Sequence, residues 1–253
     1  MLALPPGMRF GITIINLDRS ADRLERVRSF LDPMGLAWSR LPAADGSKLE
    51  PDEQVLINAD AFARHMGRAY RAGEAGCTFS HLRALRRFLE SDRTHEMILE
   101  DDFTIPGGMA LSSRLEAILG AADRWDLLKA YTFRAYGYVP KHDIGSAGRI
   151  VRPLNRITKS LGHLVNRRAA EAVLGGFKGF DEPLDWFLDQ PWRFGIKYRA
   201  LRPNLIEEAT QIASTIGYAT ADIGNFPVLR RSGALLHRVA LATRRTLHNI
   251  HAV

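Results

Sequence analysis

The chain has 253 residues, 46% hydrophobic and 25% charged, enough to bury a full core within one large domain. Its single cysteine, Cys77, excludes an internal disulfide and a cysteine-based zinc cage, and no apolar run approaches the roughly 18 residues of a spanning helix. The net charge of +7 is local: Arg230, Arg231, Arg238, Arg244 and Arg245 follow the last acid, Asp222, and without those five the 35 basic residues fall to 30 against 28 acids. A body so nearly neutral argues against a whole-protein nucleic-acid surface.

The opening Met1-Leu2-Ala3-Leu4-Pro5-Pro6 has neither a basic start nor an apolar core, so the expected location is cytoplasmic. Phe10 to Leu17 (FGITIINL) is a near-continuous β-branched run, the pattern of a strand covered on both faces. A helix follows, with Ser20 as N-cap, Asp22 and Glu25 in its first turn, and Leu24, Val27 and Leu31 on one face. Pro33 and Gly35 end it. A second strand, Ala37 to Leu41, runs into the turn at Ala44-Asp45-Gly46, and one or two short helices occupy 47–75. Gly73-Glu74-Ala75-Gly76 leads into a helix carrying Leu82, Leu85, Phe88 and Leu89, which feeds a strand from Glu96 to Leu99. Strand alternating with helix predicts an α/β fold, a Rossmann-type, mostly parallel sheet with helices on both faces. Further on, Trp125 to Ala130 and Lys197 to Leu201 read as strands, Arg167 to Leu174 and Glu182 to Leu188 as helices, and 204–232 as loop. The expected division is a main domain over 1–229 and a basic amphipathic helix over 230–253.

The third strand ends in Glu100-Asp101-Asp102. Adjacent carboxylates repel one another, so a chain gathers them at a strand end most readily around a cation, and all-oxygen ligation suits Mg²⁺ or Mn²⁺. Ligands of parallel sheets bind beyond the carboxyl ends of the strands, which is where these acids fall. The competing reading is a solvated acidic turn.

Four blocks, in order, resemble glycosyltransferase family 25, which includes lipopolysaccharide galactosyltransferases and collagen galactosyltransferases. They are Ile15-Asn16-Leu17-Asp18-Arg19-Ser20-Ala21-Asp22-Arg23, Ala44-Asp45-Gly46, Gly73-Glu74-Ala75-Gly76-Cys77-Thr78-Phe79-Ser80-His81-Leu82 and Ile98-Leu99-Glu100-Asp101-Asp102. Weaker matches at Asp181-Glu182-Pro183-Leu184-Asp185 and from Pro203 to Gln211 extend the resemblance over about residues 10–216. It implies a GT-A fold, a UDP-hexose donor (galactose or glucose) and Mn²⁺ or Mg²⁺ as cofactor. It also implies inverting transfer to a saccharide or lipid-linked saccharide, in lipopolysaccharide or other cell-surface glycan synthesis.

By that resemblance Asp101 and Asp102 are the metal residues, Asp102 in direct contact, with Glu100 or Asp101 acting through water or on the ribose. Asp185 is the base that takes the acceptor proton, with Asp181 and Asp189 as rivals and an acid at a helix cap as the competing reading. Asn16, Arg19 and Arg23 follow the first strand and suit a base edge and phosphates; a solvated helix face is the alternative for the two arginines. Asp45 and Gly46 suit a ribose contact or form a plain turn. Ser80 and His81 begin a helix, where free N–H groups favour anions, or serve as a cap and a structural histidine. The chain departs from the family pattern at Lys129-Ala130-Tyr131 and at His163, both expected to border the donor sugar or acceptor.

Two other classes compete. A haloacid-dehalogenase-type phosphohydrolase wants Asp-x-Asp-x-Thr after a strand near the chain start, and Asp101-Asp102-Phe103-Thr104 has the wrong spacing. A nucleic-acid module using the basic tail wants aromatics among the arginines, and 227–253 contains none apart from histidines, so no nucleic acid is expected. In the tail, Leu236, Val239, Ala240, Thr243, Leu247 and Ile250 share one helical face. That face is expected either to lie on the anionic inner surface of the cytoplasmic membrane or to pack on the domain.

Overall fold

The structure, a computed structural model, describes residues 2–106, 110–133, 137–209 and 228–251. Its first half runs β1 (Phe10–Asn16), α1 (Ala21–Leu31), β2 (Trp38–Pro42), α2 (Pro51–Gln54), α3 (Ala59–Met66), α4 (Ala72–Glu90), β3 (His95–Glu100) and β4 (Phe103–Thr104). The second half runs α5 (Leu111–Gly120), β5 (Leu127–Lys129), β6 (Tyr138–Asp143), β7 (Arg149–Pro153), β8 (Gly162–Asn166), α6 (Arg167–Gly176), α7 (Leu184–Leu188) and α8 (Pro191–Phe194). It closes with β9 (Tyr198–Arg202), β10 (Glu207–Glu208) and α9 (Val228–His251). Most of the loop expected over 204–232, and Gln211 of the weak block, lie outside the described residues.

The main sheet has the order β2-β1-β3-β8-β5-β9-β7-β6. β1 pairs in parallel with β2 and β3, and β5 with β9; the remaining pairings are antiparallel. Following those directions, β2, β1, β3, β5, β9 and β6 point one way and only β8 and β7 run against them. The sheet is mostly parallel in direction, as expected, but with two reversed strands the sequence did not announce.

Period-two alternation explains the layering. Ile12, Ile14, Met97 and Leu99 face a cluster with Val27 and Leu31 of α1 and Leu115 and Leu119 of α5. Ile15 and Ile98 face the other way, onto Leu85 and Phe88 of α4, Val173 of α6 and Phe187 of α7. Both faces of β1 are covered, so its run is apolar throughout. All the ends of β1, β2 and β3 that carry polar motifs emerge on one edge of this sandwich.

The C-terminal helix α9 lies against the body. The His237 ring stacks on His65 of α3 with centroids 4.1 Å apart, and Leu241 packs on a cluster that includes Phe62, Phe180 and Trp186. Arg245 donates to Asp189 Oδ2 at 2.6 Å and to its carbonyl at 2.7 Å. At 100° per residue, this docked face is opposite the stripe of Leu236, Val239, Leu247 and Ile250, each more than half exposed. Among the described residues no helix is long and apolar enough to cross a membrane.

Candidate active site

The acidic strand end is braced from below. Asp101 is buried, its Oδ2 accepting from the Asn16 amide at 2.7 Å and its Oδ1 from Arg23 at 3.0 Å. Arg26 of α1 donates to the carbonyls of Asp101 and Phe103 at 2.9 and 2.7 Å, clamping the turn. Asn16 spends its other capacity on the Ser20 carbonyl and on Arg40, so it is a buried strut and does not reach open space. Glu100 and Asp102, on either side of it, are partly buried and line two adjoining cavities.

Asp102 has a buried carboxylate oxygen, Oδ1, with no hydrogen-bond partner among the described residues. Burial, reinforced by the charges of Glu100 and Asp101, pushes its carboxyl up to about 7. Glu100 goes the other way: burial opposes its ionisation, but hydrogen bonds from His81 (3.2 Å) and Cys77 (3.4 Å), with the nearby Lys129 charge, hold it below the ordinary range. The ligand atoms of Cys77, His81 and Glu100 lie within 4.8 Å of one another. Burial and the Glu100 charge push the Cys77 thiol well up, so it stays protonated and serves Glu100 as a donor. An unsatisfied buried oxygen beside a second carboxylate fits a hard divalent cation bound by Asp102 and Glu100.

Ser80 and His81 do not begin a helix. α4 starts at Ala72, where Arg71 and Glu74 form the capping box, and both residues lie in its interior. The helix continues through Gly73 and Gly76 because tertiary contact outweighs the glycine propensity cost. A Cβ on Gly76 would meet the Ala44 carbonyl at 2.6 Å, and one on Gly46 would meet the Ala72 carbonyl at 1.7 Å. The loop after β2 is thereby pressed onto α4. Ser80 secures it by donating to the Gly76 carbonyl and accepting from the Ala44 amide at 2.8 Å. Asp45, held down to about 2 by hydrogen bonds from Ser47 and by Arg19, stands at the rim as an anion.

A cavity of about 230 Å³ opens between this loop, α4 and the acids. It is lined by Arg19, Arg23, Asp45, Gly46, Ser80, His81 and all three acids. Every expected site residue of the first three strands except Asn16 therefore reaches one space. A second cavity of about 410 Å³ adjoins it across Cys77, Glu100 and Asp102, and its far wall carries Asp185, Trp186, Lys159 and Glu208.

Asp185 sits in the first turn of α7, half-buried, its oxygens accepting from the Lys159 and Trp186 amides at 2.9 and 3.0 Å. Burial raises its carboxyl above the usual range, and Lys129 and Arg156 pull it partly back. Its rivals lie elsewhere. Asp181 faces His65 and a separate cleft, and Asp189 is fully buried on Arg245. Lys129, flagged above only as a departure, is a buried ammonium bonded to the Lys159 carbonyl at 2.5 Å. Burial lowers it, and the charges of Asp185, Asp189 and Glu100 hold it up. His163 is buried beside it, stacked on His81 at 5.1 Å. Lys159 and Glu208 close the second cavity as an ion pair at 2.5 Å; Glu208 falls in the weak Pro203–Gln211 block, and Lys159 carries no sequence signal.

A family model described as glycosyltransferase family 25 (LPS biosynthesis protein) matches residues 10–188. A glycosyltransferase 25 family member of Drosophila pseudoobscura pseudoobscura is 32% identical over 97 residues, covering 36% of this chain and 15% of its own. One of Aedes aegypti is 27% identical over 173 residues, covering 64% of this chain and 27% of its own. The chain thus spans little more than a quarter of the length of these relatives at most. Among solved structures, the crystal structure of A197 from STIV aligns over 79% of this chain and 83% of its own at 13% identity, with a TM-score of 0.36.

Proposed function

Since the chain belongs to glycosyltransferase family 25, we propose that it is a metal-dependent, inverting hexosyltransferase of GT-A type. The donor is a UDP-hexose, galactose or glucose, and the acceptor a saccharide of a lipopolysaccharide or another cell-surface glycan. The observation that carries this reading is the pair of adjoining cavities, with Glu100 and Asp102 on their shared wall and Asp185 across the second. Asp102, through its unsatisfied oxygen, and Glu100 would hold Mn²⁺ or Mg²⁺, which supplies charge neutralisation for a departing diphosphate.

The chain's own groups complete the chemistry. Arg19 and Arg23 at the first cavity offer forked donors to phosphate oxygens, and Asp45 offers an acceptor to a ribose hydroxyl. Asp185, made more basic by burial, takes the proton of the attacking hydroxyl from the face opposite the leaving group. The buried Lys129 tempers that basicity from behind. The deciding experiment incubates the protein with Mn²⁺ and a panel of nucleotide sugars, scoring donor hydrolysis and thermal stabilisation. Stabilisation by one UDP-hexose, lost with EDTA, supports the reading; indifference to the whole panel overturns it.

The same reading sets the enzyme on the inner face of the cytoplasmic membrane through α9. The support is the outward apolar stripe, 70% exposed at Leu236 and 62% at Ile250, in a segment with no acidic residue after Asp222. Apolar insertion and about 1 kcal/mol per nearby arginine favour an anionic bilayer. Flotation with anionic vesicles that fails at low salt, or that survives Leu236→Glu with Leu247→Glu, overturns this docking.

A further inference from the structure

A further cleft, of about 600 Å³, lies between α9 and the segment 154–158. Arg156 enters it from that segment, and Arg238 and Arg245 from the helix. After burial, Asp185 and Asp189 favour the charge on Arg156, and Arg238 and Arg245 disfavour it. Two acids lie near: Asp189 is fully buried and already bonded to Arg245, and Asp185 accepts from the Lys159 and Trp186 amides. Neither Arg156 nor Arg238 has an acidic partner among the described residues. Three guanidinium groups against two carboxylates leave a positive excess in the cleft, which favours an anion beyond those the chain provides.

Geometry narrows the class of anion. The Arg156 guanidinium stacks over the Trp186 ring at 3.8 Å to the centroid. A stacked guanidinium is fixed in orientation and keeps its in-plane N–H edges free, which is the fork that grips two oxygens of one phosphate or carboxylate. Trp186 is the residue after Asp185, and it lines both this cleft and the cavity holding Asp185, as do Phe133 and Thr158. An oxyanion held here would therefore lie beside the cavity that holds Asp185.

We infer that this cleft is an acceptor subsite in which Arg156 and Arg238 bind an oxyanion, phosphate or carboxylate, carried by the acceptor saccharide one unit away from the hydroxyl that reacts at Asp185. The assignment of Asp185 as the acceptor end rests on the function proposed above; the anion site itself rests on the arginines.

Trp fluorescence of the full chain, titrated with glucose, glucose 6-phosphate, glucuronic acid and inorganic phosphate, tests this. Both anionic sugars should bind at least about tenfold more tightly than glucose, in a salt-sensitive way, and glucose 6-phosphate more tightly than inorganic phosphate. Arg156→Ala and Arg238→Ala should each weaken the anionic sugars about tenfold. Arg244→Ala, on the same helix but outside the cleft, should not. Equal binding of glucose and glucose 6-phosphate, or equal losses in all three variants, overturns the subsite. Inorganic phosphate binding as tightly as glucose 6-phosphate also overturns it, since a bare anion site would then suffice. Donor hydrolysis, measured separately, reports on the other end: its absence with anionic-sugar binding intact refutes the UDP-hexose reading and leaves the subsite standing.

Discussion

Replacing Arg245 with Met tests whether α9 is part of the fold. Its partner Asp189 is fully buried, and the two share hydrogen bonds of 2.6 and 3.3 Å, with a third from Arg245 to the Asp189 carbonyl at 2.7 Å. Breaking a buried ion pair from one side strands the other charge and costs about 3–5 kcal/mol. That cost has a pH signature. Even when paired, the Asp189 carboxyl is pushed up by burial to about 7, against 3.8 for the free group. Its contribution to stability is therefore whole below the unfolded value and fades as pH rises through about 7. Without Arg245 the carboxyl rises further, so its loss continues above that point. Denaturant unfolding of Arg245→Met should show a modest cost near about pH 5.5, where Asp189 is protonated in both proteins, and a larger one near about pH 8.5. A cost below about 1 kcal/mol near about pH 8.5, of the size of an exposed pair, or one that is the same at both pH values, would refute the reasoning.

Asp185→Asn should leave UDP-hexose binding nearly unchanged, by calorimetry, while transfer falls by about 10²–10⁴-fold; activity surviving there but dying in Asp181→Asn would reassign the base. The acid limb of the wild-type kcat profile should lie above the ordinary carboxylate range, because ionised Asp185 is the working form and burial raises it. Lys129→Met removes a charge that favours ionised Asp185, so that limb should move to higher pH; no movement would mean the ammonium does not act on the base.

The near-continuous apolar runs of β1 and β3 and the punctuation around α1 made the parallel half of the sheet legible in sequence, because each of those strands is covered on both faces. β6 and β7 were not. β6, at the sheet edge, leaves Tyr138 and Lys141 exposed, and the short buried run of β7 is broken by Arg152 and Pro153, so no long apolar run marks either. α4 was read as starting late because its glycines at 73 and 76 look like a loop until the Ala44–Gly46 backbone is seen pressed against them. Among the site residues, the acids stood out because three together are costly without a cation. Asn16 was readable as important but not as a strut, since an amide's partners depend on tertiary placement. Lys129 was visible only as an oddity, Glu208 only as part of the weak block from Pro203 to Gln211, and Lys159 not at all, because a lysine on a loop differs from a solvated one only by what surrounds it.

The measurement that bears most directly on the account is calorimetric titration of Mn²⁺ and then UDP into wild-type protein and Asp102→Asn. Wild type should bind Mn²⁺ and take up UDP more tightly in its presence; the variant, folded to the same melting temperature or higher because a buried charge is gone, should lose both Mn²⁺ binding and the Mn²⁺-dependent gain for UDP. Metal-coupled UDP binding retained in Asp102→Asn would contradict the assignment of the β3 acids as the metal site.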